Sequence, residues 1–490
     1  MTDTSLPATC PAEYQAQRPA SPIALFILLL GGFITIFDLF VVNIAVASIQ
    51  ESFEASFADI AFVIAGYELA FGVLLIAGSR LGDRHGRRRL FILGMLAFTL
   101  SSFLCGVAAS ATILIAARLM QGAAGALLFP QIYASLRVIY DGKGRSRAFG
   151  LLGMTLGLAA IAGQVIGGLL VEMNLFGLGW RVVFLINIPV GILAAIAART
   201  IPESKAQTDT DIDWVGVILI SCGLLLLLLP LLEGPNIGWP LWTGYSFIAG
   251  LTLTALFLTW QYRLANMGGT PIISLTLFRQ PAFSVGSLCV LLIYSTATSL
   301  FLCFALLLQS GLGLSPLAAG MIFAPCSVGF IASSLSAPKL VARFGNKIIA
   351  QGAAVYAAGI AGLMVMTWNF SQESDVILLI WPLIVLGFGQ GMAMTPMLNL
   401  VIGYIEERHA GIAAGFISTM QQVGGAFGVS ISGIFFMNIL TRDASLTTAA
   451  RYLDAFSGAM IYNLFAVVIA IILIIRLLQR SRGIDKEVGR

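Results

Sequence analysis

Two acids and one base stand where the chain around them is almost wholly apolar. Asp38 lies in FDLFVVNIAVASI, Glu68 in AGYELAFG and Arg118 in LIAARLMQGAAG. If such runs cross a bilayer, each ionisable side chain costs about 2.5–3.5 kcal/mol at a helix centre, and it marks a functional site by default. Two acids and one base can neutralise in part by pairing, and a carboxyl group taken out of water holds a proton more readily than one in water. The chemistry suited to this set is reversible proton binding inside a membrane, by Asp38 or Glu68, with Arg118 tuning the affinity. The plainer alternative is an Asp38–Arg118 pair that only ties two helices together.

Other chemistries find little support. The six cysteines are scattered and form no CxxC pair, and the two histidines, His85 and His409, fall far apart. There is no zinc spacing, no catalytic triad signature and no phosphate-binding glycine loop. The sequence therefore predicts no metal, no catalytic residues, no enzyme, and no cofactor beyond a transmembrane proton gradient. The net charge of +4 is spread over short loops and does not call for nucleic acid.

The elements that must hold these residues follow from composition. Of 490 residues, 58% are hydrophobic and 10% charged, against about 25% charged in soluble domains, and the mean hydropathy is +0.95. A membrane helix needs about 20 predominantly apolar residues. Fourteen such runs are present, the first near 23–47, the last near 457–478, with two at 214–232 and 243–262. An even number puts both termini on one side. Of the 27 Lys and Arg, Arg181, Arg442 and Arg451 fall on the far side and Arg118 lies in a span; all the rest share the side of the termini, which the positive-inside rule makes cytoplasmic. At 1.5 Å per residue, Asp38, Glu68 and Arg118 then fall in the middle-to-outer part of the bilayer, where they could share one aqueous cavity.

Residues 77–90, AGSRLGDRHGRRRL, form a basic turn between the second and third runs. Their order resembles the signature of the major facilitator superfamily in Gly78, Leu81, Gly82, Asp83, Arg84, Gly86, Arg87 and Arg88. In that family the motif is a conformational latch, whose Asp and Arg pair with helix ends of the same half when the transporter faces outward. Further stretches resemble the family's fourteen-span drug:proton antiporter branch. Asp38 and Asn43 fit its first span, with Ala47 in place of the usual proline. Arg118, Gln121, Gly122 and Gly125 fit its fourth span, whose arginine is implicated in proton transfer. Gly157, Gly163, Gly167 and Gly168 fit the antiporter motif of the fifth, with Gln164 where the family has proline. WRVVFLINIPVGI, with Trp180, Arg181, Phe184, Asn187, Pro189 and Gly191, fits the start of the sixth. Glu68 belongs to no such motif and rests on its position alone.

Weak internal similarity supports two parallel halves. GSRLGDRHGRR at 78–88 aligns with APKLVARFGNK at 337–347, and Gly150, Gly163 and Gly168 align with Gly415, Gly428 and Gly433. Transporters of this class are built from such repeats, with the cargo site near the midplane between them. The expected fold is an all-α integral membrane protein of 14 transmembrane helices: two six-helix bundles of the major facilitator fold and two inserted linker helices. The expected division is a cytoplasmic tail at 1–21, bundles at 22–201 and 266–479, a linker at 202–265 carrying helices seven and eight, and a tail at 480–490. Asn43, Gln121, Gln164, Asn399, Gln421 and Gln422 are candidate cavity polar groups, since neutral amides suit varied cargo better than a fixed charge. The resemblance implies a monomeric, proton-coupled exporter of small organic, amphipathic or drug-like compounds in the cytoplasmic (inner) membrane. The alternatives are a uniporter or importer of a defined metabolite, which Gln164 motivates, and a non-transporting membrane sensor.

Overall fold

The computed structural model describes residues 22–205, 212–370, 373–403, 410–442 and 445–488, and among them the secondary structure is entirely helical. Among the described residues, fourteen helices are long and apolar enough to cross a membrane: α1 (Pro22–Phe53), α2 (Phe57–His85), α3 (Arg87–Gly106), α4 (Ala111–Ile139), α5 (Arg147–Glu172), α6 (Gly179–Thr200), α7 (Trp214–Pro235), α8 (Leu241–Asn266), α9 (Pro281–Gly311), α10 (Pro316–Phe344), α11 (Lys347–Trp368), α12 (Val376–Met397), α13 (Gly415–Leu440) and α14 (Thr448–Gln479). These are the fourteen spans that hydropathy predicts. The last helix does not stop at the expected tail: its backbone stays helical to Val488.

Local sequence explains where several helices begin. Ser56 and Asp59 form a reciprocal capping box at α2, which satisfies amide groups that a helix start leaves without partners. Ser110 and Ser315 cap α4 and α10 through their hydroxyls, and Pro316 at the first position of α10 fits because its missing N–H would be unpaired there anyway. α6 is composite, with a 3₁₀ turn at Gly179–Arg181 leading into its helical body at Asn187–Ala197.

Helices α1–α6 pack among themselves chiefly as α2 on α4, α3 on α4, α1 on α5 and α3 on α6. Helices α9–α14 pack chiefly as α10 on α12, α11 on α12, α9 on α13 and α9 on α14. The two sets meet mainly along α2 with α13 and α5 with α10. α7 and α8 form a hairpin, and α7 touches both α2 and α13. In its most apolar stretch α2 is 83% buried and α8 only 17%, so α2 is a central helix and α8 a peripheral one.

The 78–90 turn marks one face of the bundle, the basic face. Near the opposite face, α5 and α10 approach closely: a Cβ at Gly168 would stand 2.5 Å from the Pro316 carbonyl oxygen, and one at Gly320 would run into that of Gln164. Closer to the basic face, Gly150 and Gly153 have no heavy atom within 4 Å of such a Cβ.

Candidate functional site

Asp38 and Arg118 are fully buried and paired, with Nη1 of Arg118 2.5 Å from Oδ2 of Asp38. The carboxylate takes two further donors, Nε2 of Gln121 at 2.8 Å and Nδ2 of Asn187 at 3.2 Å. Arg118 also donates from Nε to the Val63 carbonyl at 3.2 Å and from Nη1 to Oε1 of Gln121 at 2.8 Å. Its guanidinium lies 4.2 Å from the centre of the Tyr67 ring, a cation–π arrangement that stabilises a desolvated cation by about 2 kcal/mol. Four helices, α1, α2, α4 and α6, thus converge on one ion pair. Such closure is what a buried pair needs, because attraction offsets desolvation only when the remaining donors and acceptors are satisfied.

Arg118 and Gln121 reach one carboxylate because residues three apart share a helix face. Gly122, one position on, lets the α2 backbone come close: a Cβ there would collide with the Tyr67 carbonyl oxygen. Asn187 is steered by the Ser102 hydroxyl at 3.1 Å. The sequence pattern contains Asn187 without giving it a role, and Tyr67 and Ser102 carry no sequence signal of a role at all.

Glu68 does not join this cluster, although it follows Tyr67 directly. Successive helical residues turn by about 100°, so its carboxyl group faces the other set of helices. Oε1 accepts a hydrogen bond from the Thr298 hydroxyl of α9 at 3.0 Å. Oε2 is buried without a hydrogen-bond partner, against Gly425 of α13, where it fills the space a Cβ would need. The three ionisable residues therefore occupy two places, a closed pair inside one helix set and a single acid on the seam between the sets.

The candidate cavity amides also separate. Gln121 belongs to the ion-pair cluster. Asn43 donates to the Leu39 carbonyl at 3.2 Å and its Oδ1 is buried without a partner. Gln164 is fully buried at the α5–α10 contact with neither end of its amide bonded. Gln421 and Gln422 are half-buried, and Gln422 packs against Gly72 of α2. The side chain of Asn399 lies outside the described residues, as do residues 1–21 and His409. The glycines of the fifth span serve close packing. Gly163 and Gly167 admit α1 at Phe37, Phe40 and Val41, Gly168 admits α10 at Pro316, and Gly157 faces Ile331 of α10.

The basic turn is held from inside and from the segment after α6. Arg87 bonds Oδ1 of Asp83 at 2.7 Å. Arg88 donates its backbone N–H to Oε1 of Glu203 at 3.0 Å, and its side chain lies 3.6 Å from Oε2 of Glu203. Gly86 has φ +104, a conformation open to glycine but strained for other residues, and Glu203 fills the space where its Cβ would be. Gly78 and Gly82 seat α2 on α4 against Ala126 and Gln131, and Arg84 lies at the end of α2. Arg80 reaches out of the turn to the carbonyls of Thr270 and Pro271, at 2.8 and 2.6 Å. That segment is tied in turn to α7 and α8: Ile273 N–H donates to Gln261, Gln261 donates to Asp213 at 2.6 Å, and Trp260 donates to Asp213 at 2.7 Å. Neither Glu203 nor Asp213 stands out in the sequence, because both lie in short polar connections.

Residues 28–429 match the model of the Major Facilitator Superfamily. The chain is 34% identical over 428 residues to a protein of Streptomyces coelicolor named "Probable actinorhodin transporter", covering 86% of this chain and 73% of that one. It is 32% identical to the puromycin resistance protein of Streptomyces alboniger, covering 86% and 82%, and 30% identical to the cephamycin export protein of Amycolatopsis lactamdurans, covering 92% of each. Among solved structures, a bacterial homolog of the human lysosomal transporter Spinster, inward-facing and unoccupied, superposes with a TM-score of 0.68 at 15% identity, covering 94% and 97%. A D-xylose–proton symporter does so with a TM-score of 0.64 at 15% identity, covering 92% and 96%. At such identities the structural likeness carries the fold.

Proposed function

Since this chain belongs to the Major Facilitator Superfamily, we propose that it exports small organic, amphipathic compounds across a bacterial cytoplasmic membrane, driven by protons flowing inward. Export follows the antibiotic export and resistance proteins it is similar to. The basic face is then cytoplasmic, with both termini on it, and a single chain is the working unit. Residues 22–201 and 266–479 rock against each other as two halves, with 202–265 as linker. Alternating access of this kind exposes a fixed site to each side in turn.

The observation that carries proton coupling is the placement of Glu68. A carboxyl group with one unpartnered oxygen, buried on the seam, suits a closed seam when neutral; as an anion it would be buried with one hydroxyl donor and no counter-charge, at a cost of several kcal/mol. Proton loss therefore favours parting of α2 from α9 and α13, and proton binding favours their contact. Asp38 is the second acid. In this conformation it is satisfied by Arg118, Gln121 and Asn187; a proton on it would free Arg118 to seek another acceptor. Each pH unit of gradient supplies about 1.4 kcal/mol per proton, enough to bias a two-state equilibrium tenfold.

The deciding experiment uses purified protein in sealed liposomes with an imposed pH gradient. Flux of a fluorescent cargo should follow the gradient and stop when a protonophore collapses it. Equal flux with the gradient collapsed would favour uniport, the reading suggested by Gln164 where antiporters of the branch carry proline.

A further inference from the structure

We propose that Arg80 is a positioning residue for transport: it pins the cytoplasmic end of α2 to the connection that enters the second half, so that on this side the halves part by splaying toward the outer face. The inference rests on the rocking of two halves proposed above and names the point on which one of their seams turns.

Arg80 is anchored in the first half. It lies between Gly78 and Gly82, which seat α2 on α4, and Gln131 of α4 donates to the Gly78 carbonyl at 2.9 Å. From there Nη1 donates to the Thr270 carbonyl at 2.8 Å and Nη2 to that of Pro271 at 2.6 Å. A guanidinium suits two adjacent acceptors because its donors form a rigid fork, and charge-assisted bonds are roughly twice as strong as neutral ones. The two acceptors lie in the connection from α8 to α9. Its middle is held by Gln261, which accepts from Ile273 N–H. Its far end belongs to the second half: the Phe278 ring meets Phe283 of α9 and Phe416 of α13, each at 5.3 Å, and the Ser284 hydroxyl donates to the Phe278 carbonyl at 2.7 Å. One cation thus straps the first half to the second through residues 270–278.

The two seams between the halves touch differently. Along α2, contact runs from end to end. Near the outer face Phe57 stacks on Phe436 at 5.7 Å and fills the space beside Gly433. Glu68 follows with Thr298. The Gly72 carbonyl then accepts from the Thr419 hydroxyl at 2.8 Å, Ile76 faces Gly415, and Arg80 comes last. Along α5, contact stops partway. At the outer end Glu172 accepts the Leu317 N–H at 3.2 Å, and Gly157 still faces Ile331 of α10. The same stripe of α5 continues to Gly153 and Gly150, since residues three or four apart share a helix face. A Cβ at either would meet nothing within 4 Å, and Leu335, one turn past Ile331, is 64% exposed. The α5–α10 seam is therefore open toward the cytoplasm, while the α2 seam is closed and strapped there. A seam fastened at its cytoplasmic end parts from the other end, so a charge on Glu68 drives α2 away from α9 and α13 toward the outer face.

The test reads distances across the α2 seam by pulsed dipolar spectroscopy on spin-labelled protein in lipid nanodiscs. His85→Cys with Arg279→Cys spans the cytoplasmic end, and Glu51→Cys with Thr441→Cys spans the outer end; all four positions are exposed. Cys10 and Cys222 are replaced by serine, and the other four cysteines are buried. In the otherwise unaltered protein the cytoplasmic pair should give one narrow distribution at acidic and alkaline pH, while the outer pair lengthens as pH rises. Arg80→Ala should widen the cytoplasmic distribution roughly twofold, as a pinned end becomes an ensemble, and leave the width of the outer one unchanged. Arg80→Lys, which reaches one carbonyl at a time, should fall between. Phe278→Ala cuts the strap at its other end and should reproduce the widening with Arg80 in place; it decides alone if Arg80→Ala does not fold. The proposal is overturned if the cytoplasmic distribution stays narrow without the strap, or if both pairs widen alike, which would mean general loosening. Because widths are compared at one pH, an outer pair that ignores pH would sink the role of Glu68 and leave the pinning by Arg80 standing.

Discussion

Thr298 of α9 gives its hydroxyl hydrogen to Oε1 of Glu68 in α2 at 3.0 Å, joining residues 230 positions apart. The other oxygen of Glu68 has no such partner. One acid therefore touches both helix sets, while the Asp38–Arg118 pair is enclosed within one.

Glu68→Gln should abolish the response of flux to a pH gradient while leaving cargo binding within about threefold. Gly425→Ala should act similarly, by driving a methyl group into the space of Oε2. Flux assays in everted vesicles at several external pH values would check both; a Glu68→Gln protein with the pH profile of wild type would remove Glu68 from the coupling scheme.

Asp38→Asn should destabilise the protein by about 3 kcal/mol or more, because it strips a buried cation of its counter-charge. The double variant Asp38→Asn with Arg118→Met should recover much of that stability, since removing both charges removes the unpaired one. Neither variant should couple. Thermal unfolding in detergent compares the three proteins, and a double variant less stable than Asp38→Asn alone would contradict a charge-balance role.

Gly86→Ala should cost about 1–3 kcal/mol, the usual strain of a non-glycine residue held in a sparsely populated backbone region, and should also push Glu203 from Arg88. Glu203→Gln keeps the backbone intact and tests the charge alone. On a partly exposed pair this should cost at most about 1 kcal/mol. Melting temperatures that fall as far for Glu203→Gln as for Gly86→Ala would mean that charge, not backbone geometry, holds the turn.

Asp213→Ala should loosen the α7–α8 hairpin from the 270–273 segment. The loss comprises a helix cap worth about 1 kcal/mol and two further hydrogen bonds, from Trp260 and Gln261. The indole emission of Trp260 should shift red, read as the difference between Asp213→Ala and the same variant carrying Trp260→Phe. An unchanged difference spectrum would show that Trp260 does not depend on Asp213.

Much of this protein is legible in its sequence because the bilayer imposes one-dimensional rules. A run of about 20 apolar residues is a span wherever it occurs, so the fourteen helices could be marked without knowing how they pack. A buried charge is expensive in any packing, so Asp38, Glu68 and Arg118 stand out from composition alone, and the order of residues in 78–88 and 180–191 carries the family. What tertiary structure decided is which polar groups meet. The bond from Asn187 to Asp38, the contact of Thr298 with Glu68 and the hold of Glu203 on Arg88 join distant parts of the chain through amides, hydroxyls and loop acids that are common everywhere. The rings of Tyr67, Phe71, Phe129, Tyr133 and Phe149 pack one on the next with no sequence period, because they come from three helices. Such meetings depend on the crossing and rotation of packed helices. A rotation of one residue, about 100°, is all that separates the ring under Arg118 from the carboxyl group on the seam.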